Sequence, residues 1–473
     1  MKRKNIPSKL LCCKLLICFL FLITFDSLTN SEKKLYKFGH ITDSITKECN
    51  DFRKHVLSPT AFIRKRKWGF KHYINHIIFN QRKTLRNNID TYLKYVTDGV
   101  TSYTKQSFSE QRININPEVF KKISLNYLKN IGYLNNKKIN PFFKTFYGFR
   151  LYAGDGSLFE IPDKELTLKE FGFQEGYKRV PKVKFSGIVD VLNNFLIDGI
   201  MGRRGVGEHT LIHQNLQNVV DLIVPQKSIF IFDRGYNSME LMARIINMNS
   251  FFVIRLKKDT YIGEREYMTC DDEILKIEIN KDRINKFKDK ILKEKFKDLP
   301  YLKLRVVNIK LETGEIESLI TNLPQDQIST ENLNEIYQAR WGIECSYKTL
   351  KQRLQIQNYT AQTEIGIQQD IYSTFLMYNL FSYSRIYLNL LINKVKRQQG
   401  SKDYYDVDQS NLISRIKIDI VEAILNPSKI KEFMKMIIEK CTQGPNKVDK
   451  PRQYERKKKS KNKTIQPQYK QTF

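Results

Sequence analysis

The chain has 473 residues, enough for about two to four domains with a sizeable core. Its 81 Lys and Arg against 50 Asp and Glu give a formal charge of +31, which indicates a polyanionic partner, nucleic acid first and an anionic membrane second. The seven cysteines form no C-x-x-C pair and have no histidine at zinc-ligand spacing. This argues against a zinc site and favours a compartment that keeps thiols reduced.

The N-terminus begins with Lys2, Arg3 and Lys4 and continues into an apolar run whose uninterrupted part is Leu15–Ile23. A charged start followed by a short apolar run resembles a signal peptide. The run is too short for a comfortable membrane span, and no A-x-A-like cleavage site follows it. A buried helix and a mis-assigned start codon are the alternatives.

Residues 60–140 are basic and aromatic, and their pattern is helical. It predicts helices at Phe62–Phe79, Asp90–Tyr95 and Thr104–Arg112, with a turn at Asp98-Gly99. Two helices around a glycine turn occur in any α-domain, but the basic context favours a DNA-binding helix-turn-helix. We expect phosphate contacts from a dense cationic run and base contacts from the third helix: Arg64, Lys65, Arg66 and Lys67, then Gln106, Ser109 and Arg112.

From residue 149 the pattern predicts a sheet. Strands are expected at Phe149–Ala153, Val183–Val191, Phe195–Met201, Ser228–Phe232 and Phe251–Leu256, with helices at Thr210–Leu222 and Met239–Met248. This order is typical of an α/β protein with a ribonuclease H-like mixed sheet. A charged stretch and a hairpin around Glu312-Thr313-Gly314 then indicate a β-rich insertion, and the apolar Ile365–Lys396 is interpreted as a buried helix.

The chain is thus predicted to contain a catalytic core flanked by helical N- and C-terminal regions. Its expected segments are an N-terminal segment with the apolar run (1–59), a helical DNA-binding domain (60–140), the first part of the core (141–256), the insertion (257–331), the last part of the core (332–396), a helical C-terminal region that could dimerise (397–445) and a basic disordered tail (446–473).

Two acidic residues directly follow predicted strands. Asp155 follows Phe149–Ala153, and Asp233 follows the apolar Ser228–Phe232. Such residues emerge at the rim of an open sheet, where active sites gather, and two of them on neighbouring strands can share a divalent ion. Either Asp alone would be interpreted as a cap or turn residue.

A third carboxylate lies on a predicted helix, Tyr337–Lys351. Tyr337, Arg340, Glu344 and Lys351 would share one narrow face of this helix. A carboxylate flanked by two cations and a phenol fits a metal ion beside a phosphate backbone: Glu344 would hold the metal, and the other three side chains would hold phosphate oxygens.

Together, Asp155-Gly156-Ser157, Asp233-Arg234-Gly235-Tyr236 and the spacing Tyr-x2-Arg-x3-Glu-x6-Lys resemble the DDE transposases of the insertion-sequence-4 type. The resemblance implies that Asp155, Asp233 and Glu344 are catalytic and bind two Mg²⁺, for which Mn²⁺ could substitute. It also implies DNA cleavage at terminal inverted repeats, joining of the ends to target DNA, and a homodimer on DNA without a small-molecule substrate.

Some family members pass through a DNA hairpin that is stabilised by a stacking Trp in the insertion. Here the two tryptophans, Trp68 and Trp341, lie elsewhere, and Tyr261, Tyr267 or Phe287 are the aromatic substitutes. The alternatives to a transposase are a non-catalytic or decayed DNA-binding protein, a nuclease of the same fold without strand transfer, and an exported basic protein. Because the downstream motifs belong to DNA chemistry, we expect a cytoplasmic, nucleoid-associated protein.

Overall fold

The computed structural model describes residues 39–64, 66–80, 82–96, 102–174, 180–311 and 314–448. The N-terminal apolar run, Lys65, the Asp98-Gly99 turn and nearly all of the basic tail lie outside these residues. No helix in the described ranges is long and apolar enough to cross a membrane.

The chain divides into two compact units. The first unit contains the described residues up to 131 together with 353–361 and those from 365 onward. The second unit contains residues 132–352 and 362–364.

The first unit begins with α1 (Gly39–Asn50), α2 (Phe70–Ile78), α3 (Leu85–Leu93), α4 (Lys105–Arg112) and α5 (Glu118–Asn130). The expected α4 is confirmed, and Thr104 caps it by accepting a hydrogen bond from the Ser107 backbone N–H at 3.1 Å. The expected helix from Phe62 is wrong over its first eight residues, because Phe62 has a left-handed φ of 60°. In that segment Trp68 instead stacks on Tyr103, with ring centroids 4.4 Å apart.

The second unit is built on a mixed sheet. Its strands are β1 (Arg150–Glu160), β2 (Phe173–Gln174), β3 (Val180–Asp190), β4 (Phe195–Gly202), β5 (Ser228–Phe232), β6 (Phe251–Arg255), β7 (Asp272–Glu278), β8 (Tyr301–Lys310) and β9 (Ile316–Thr321). Five strands lie in the order β4-β3-β1-β5-β6. The first three are antiparallel, and β5 and β6 run parallel to β1.

The predicted insertion contributes β7, β8 and β9, and these strands extend the same sheet. β9 pairs antiparallel with β6, and β8 and β7 follow it outward. All five residues of β5 are buried, as a continuous apolar strand in the middle of a sheet requires. The core below these strands includes Ile229, Val253 and Leu319 and is closed by Ile336 and Tyr337.

Helices cover this sheet, and their bounds are α6 (Glu165–Phe171), α7 (Glu208–Val219), α8 (Met239–Asn247), α9 (Ile262–Arg265), α10 (Lys281–Asn285), α11 (Lys290–Phe296), α12 (Thr330–Gln338) and α13 (Trp341–Lys348). The single helix predicted over Tyr337–Lys351 is wrong, because the chain forms α12 and α13 there and then a π-helical turn at Thr349–Arg353. Between the helices, the N–H groups of Arg340, Gly342 and Ile343 bond carbonyls three residues back rather than four.

The rest of the first unit contains α14 (Glu364–Gln398), β10 (Tyr405–Asp406), α15 (Gln409–Leu425), α16 (Ile430–Cys441) and β11 (Asn446–Lys447). The expectation that Ile365–Lys396 forms a buried helix is confirmed by α14, most of whose residues are buried. Leu412, Ile416 and Ile420 of α15 are at most 1% exposed, so this helix belongs to the core of its unit.

Candidate active site

Strand register brings the two candidate aspartates to the same level of the sheet. Ala153 of β1 is paired with Ile231 of β5, and Asp155 and Asp233 each follow two residues later. On the other side of β5, Phe232 is paired with Ile254, which places Arg255 next to Asp233. Gly154 permits the close approach, because a Cβ there would lie 2.3 Å from the Phe232 ring.

Asp155 lies in a partly buried and negatively charged environment. Its pKa is raised to about 6, chiefly by burial and to a smaller extent by the carboxylates of Glu344 and Glu208, against the Gly156 N–H and Arg340, which lower it. The Gly156 N–H donates to Asp155 Oδ1 at 2.8 Å. The donors and the cation around Asp155 therefore do not fully offset the cost of burying its charge.

The helix α13 is fixed to the strand that carries Asp155. The Tyr347 hydroxyl donates to the Asp155 carbonyl at 2.6 Å. Gly342 lies so close to the sheet that a Cβ there would be 2.8 Å from Val191 Cβ. These contacts hold Glu344 near Asp155 although α12 and α13 are separate helices.

The other members of the spaced signature also gather at this edge. The Tyr337 hydroxyl donates to Asp233 Oδ1 at 3.1 Å, and Arg340 Nη1 lies 3.3 Å from Glu344 Oε1. Burial opposes the charge of Arg340, but Tyr337, Asp233 and Glu344 outweigh it and raise the Arg340 pKa. Lys351 lies in the π-helical turn and donates from Nζ to Ser157 Oγ at 2.8 Å and to the Leu158 carbonyl at 3.0 Å.

The donor chemistry of this edge suits a hard divalent cation, because Asp155, Asp233 and Glu344 present carboxylate oxygens. Within the described ranges, however, no three acidic, histidine or cysteine side chains lie close enough to hold a metal ion. The Glu344 side chain, 42% exposed, is turned toward Arg340. Metal binding would therefore require Glu344 to exchange this partner, and its exposure leaves it free to do so.

Sequence reasoning missed several residues that act on the site. Glu317 of the insertion is 4% exposed and pairs with Arg255 Nε at 3.1 Å, and its charge acts on Tyr337. Glu208, the first residue of α7, lies close to Gly156. Glu208 and Glu317 belong to no strand-end or spacing motif, so only the tertiary arrangement identifies them.

The insertion aromatics differ in their exposure. Tyr261 and Phe287 line a cavity of about 940 Å³ with polar residues of α7 and α8, whereas Tyr267 is 80% exposed. Trp68 is buried, and Trp341 is 44% exposed with the Arg340 guanidinium 5.2 Å from its ring.

In the N-terminal helices the expected DNA contacts differ in accessibility. Arg64, Arg66 and Lys67 are exposed, and so are Gln106 and Ser109 on α4.

Arg112 corrects this interpretation, because its side chain is only 2% exposed. It donates to Gln369 Oε1 at 2.9 Å, to Thr360 Oγ1 at 3.0 Å and to Asp370 Oδ1 at 3.0 Å. The assignment of Arg112 to base contacts is therefore wrong, because a side chain fully engaged inside its own unit cannot reach a groove of DNA.

Aspartates from two parallel strands beside a helix-borne glutamate are a set of side chains that suits metal-dependent phosphoryl transfer. Comparison with known protein families shows which family the chain resembles. Residues 148–380 match the family described as the transposase DDE domain. The predicted resemblance to the DDE transposases of the insertion-sequence-4 type is confirmed. Members of this family use divalent metal ions.

The relatives are distant. The chain is 22% identical to the transposase InsG for insertion sequence element IS4 of Escherichia coli (strain K12) over 247 residues, which are 50% of this chain and 53% of the relative. It is 26% identical over 160 residues to a protein named as the transposase of insertion sequence element IS4SA of Synechocystis sp., covering 33% and 40% of the two chains. The chain thus spans about half or less of the curated relatives it matches.

Among solved structures, the chain is similar to the piggyBac transposase in a synaptic complex with hairpin DNA. The TM-score is 0.39 at 9% identity, over 85% of this chain and 83% of that one.

Proposed function

We propose that the chain is a transposase that binds the terminal inverted repeats of an insertion sequence, cleaves the DNA ends and joins them to target DNA. The observation that carries this proposal is the convergence of Asp155, Asp233 and Glu344 with Arg340 at one edge of the sheet of a transposase DDE domain. Acidic and cationic groups at one place suit a reaction that needs a metal and a phosphate together.

The fold supports this proposal. Three antiparallel strands followed by two parallel ones, in the order β4-β3-β1-β5-β6 with helices between the parallel strands, are the arrangement expected of a ribonuclease H-like core. We infer that β7, β8 and β9 are the insertion into that core.

We propose that Asp155, Asp233 and Glu344 hold two Mg²⁺, or Mn²⁺ in its place. When bound, the metals would activate a water or a 3′-hydroxyl and stabilise the leaving oxygen. The incompletely offset burial of the Asp155 carboxylate supports such binding, because a cation would stabilise its charged form. The Tyr337 hydroxyl donates to Asp233 Oδ1 in the structure, and it would turn to a phosphate oxygen when DNA binds.

Phosphate oxygens of the transposon end would be held by Tyr337, Arg340 and Lys351. The geometry supports this role, because Arg340 is bonded to Glu344 and Lys351 to Ser157 and Leu158, close to the candidate carboxylates. A phosphate oxygen would compete with these contacts for both cations. Charge-assisted bonds to phosphate are the stronger kind of hydrogen bond.

The direct test is a cleavage assay on labelled end DNA with Glu344→Ala, in Mg²⁺ and in Mn²⁺. We expect end binding to survive and nicking to be abolished, because a carboxylate repels phosphate and contributes little to affinity. Glu335→Ala on α12 is the matched control, since Glu335 is also an exposed helical glutamate.

Normal nicking by Glu344→Ala would contradict the proposed site. Nicking by the wild-type protein without end joining would instead identify a nuclease, and end binding without nicking would identify a non-catalytic DNA-binding protein.

We propose that the helices of residues 60–140 bind the transposon ends. Arg64, Arg66 and Lys67 are exposed and can release counterions from phosphates, whereas Gln106 and Ser109 can reach base edges from α4. Changing the three cations to Gln should lower the slope of affinity against salt by about 1 per lost phosphate contact. An unchanged slope would remove these residues from the interface.

The active form would be a homodimer, because two ends must be joined together. The C-terminal helices α15 and α16 are the proposed contacts. Since α15 contributes buried residues to its own unit, removal of the C-terminal helices would disturb that core. Ile418→Lys, on a residue of α15 that is 46% exposed, is the gentler test. We expect it to bind one end normally and fail to form paired-end complexes, and normal pairing would refute this contact.

A further inference from the structure

A basic groove begins directly beside the candidate active site. Arg234, which follows Asp233, lines a cavity of about 450 Å³ together with Arg255, Lys257 and Lys258. A second cavity of about 720 Å³ shares Lys258, Ile316 and Ser318 with the first and adds Arg265. The two cavities form one groove along the ends of β6 and β9, which we call the β6–β9 groove.

Three cations of the β6–β9 groove are available to a ligand. Arg234, Lys257 and Lys258 are exposed, and within the described part of the chain none of them pairs with a carboxylate. Arg255 is held by Glu317, and Arg265 donates from Nη2 to Ser318 Oγ at 2.7 Å. The groove also contains the acidic residues Asp259, Glu315 and Glu317, so five cations face three acids.

The position of the groove follows from strand pairing. β5 and β6 run parallel to β1 and end at one edge of the sheet, where β1 continues past them. β9 runs antiparallel to β6, so its first residues lie at that same edge. The Leu256 N–H donates to the Ser318 carbonyl at 2.8 Å and closes the groove floor. The groove is therefore continuous with the edge that carries Asp155 and Asp233.

Cations thus stand on both sides of the carboxylates along this edge. Lys351 lies over Ser157 and Leu158 of β1, on one side of Asp155. The β6–β9 groove lies on the opposite side, beyond Asp233. A reaction that joins one DNA to another needs two backbones at the carboxylates at once, and one row of cations can hold only one of them.

We propose that the β6–β9 groove binds the phosphate backbone of the target duplex during end joining. This inference rests on the proposed function, in which Tyr337, Arg340 and Lys351 hold the transposon end. Lys257 and Lys258 would hold target phosphates as flexible point charges, which suits a target of no fixed sequence.

The test uses the full chain with the double substitution Lys257→Gln and Lys258→Gln. Its matched control is Lys276→Gln with Lys303→Gln, two exposed lysines that face each other on β7 and β8 of the same insertion. Two assays are compared: nicking of labelled end DNA, and joining of pre-cleaved ends to a supercoiled plasmid. All variants are first compared by thermal melting.

We expect the groove variant to nick like the wild type and to join ends about tenfold less efficiently, with a salt slope for plasmid binding lower by about 2. The control should match the wild type in both assays. Joining at the wild-type level would overturn the proposal, and an equal loss of nicking and joining would overturn it by assigning the groove to the transposon end. If the wild-type protein nicks no end DNA, the proposed function fails instead.

Discussion

Two clusters of arginine and carboxylate, one in each unit, differ in how completely their charges are satisfied. In the first unit, Asp370 of α14 is fully buried and accepts bonds from Arg112, from Thr360 N–H at 2.7 Å and from Ala361 N–H at 3.2 Å. Burial alone would raise the Asp370 pKa, but Arg112 and Arg82 outweigh it, and the pKa lies below its usual value.

In the second unit the pKa of the candidate carboxylate Asp155 is shifted in the opposite direction. Asp155 is less deeply buried, yet its pKa is raised to about 6 because burial and the neighbouring carboxylates outweigh Gly156 N–H and Arg340. The Asp370 and Asp155 clusters therefore have different roles. A fully bonded cluster stabilises its unit, whereas a cluster whose buried carboxylate is incompletely compensated costs stability and keeps its affinity for a cation.

The largest effect is expected from breaking the satisfied cluster. Arg112→Met should lower the free energy of unfolding by about 3–5 kcal/mol, because it leaves Asp370 buried without its main partner. Arg340→Met should lower it by less than Arg112→Met, since Glu344 is 42% exposed and water can replace Arg340 there. Urea denaturation measures both. Equal losses would show that the two arginines have the same structural role.

A smaller effect concerns DNA affinity. Arg340→Met and Lys351→Met should each weaken binding of end DNA by about 1.5–3 kcal/mol, the contribution of a charge-assisted contact. Mn²⁺ should not restore this loss, because a metal does not replace a phosphate contact. Fluorescence anisotropy with labelled end DNA checks it, with Lys348→Met on the exposed side of α13 as the control. Unchanged affinity would leave Arg340 and Lys351 as internal partners only.

The incompletely compensated burial of Asp155 should also affect the free energy of unfolding. A raised pKa means that the folded state prefers the protonated Asp155, so the charged form costs stability at neutral pH. Asp155→Asn should therefore raise the free energy of unfolding by about 1–2 kcal/mol at pH 7 in metal-free buffer. Adding Mg²⁺ should stabilise the wild type more than the variant. A variant that is less stable without metal would contradict the charge balance described for this site.

The smallest effect is a pH dependence in the first unit. The Asp370 pKa is lowered by folding, so its contribution is present above the unfolded pKa and is lost as the pH falls through the folded one. The stability gap between the wild type and Asp370→Asn should therefore be constant near neutral pH and narrow below about pH 4. Denaturation at several pH values measures the gap, and a gap that widens in acid would reverse the sign of this argument.

The local features of the protein follow from the amino-acid sequence alone. An unbroken apolar run such as Ser228–Phe232 can only be buried, and an acidic residue directly after it must emerge at the sheet rim. Strand pattern therefore suffices to make Asp233 a candidate for the site. The same holds for α4, whose Thr104 cap is a local signal, and for the apolar α14. The strand end expected before Asp155 is wrong, because β1 continues to Glu160, and Asp155 lies at this edge because β5 ends beside it.

Which charged side chains are exposed and which are buried and bonded follows only from the tertiary structure. Arg112 and Arg64 both belong to a basic stretch of sequence, and no local pattern distinguishes them. In the structure Arg112 is bonded to Asp370, 258 residues further along the chain, whereas Arg64 is exposed. Helical periodicity likewise predicted that Tyr337 and Lys351 lie on one helix. In the structure this segment forms two helices and a π-helical turn, and Gly342 packs against Val191. Partners distant in sequence leave no local pattern, so the pairing of Glu317 with Arg255 and the β6–β9 groove emerge only when the strands are paired.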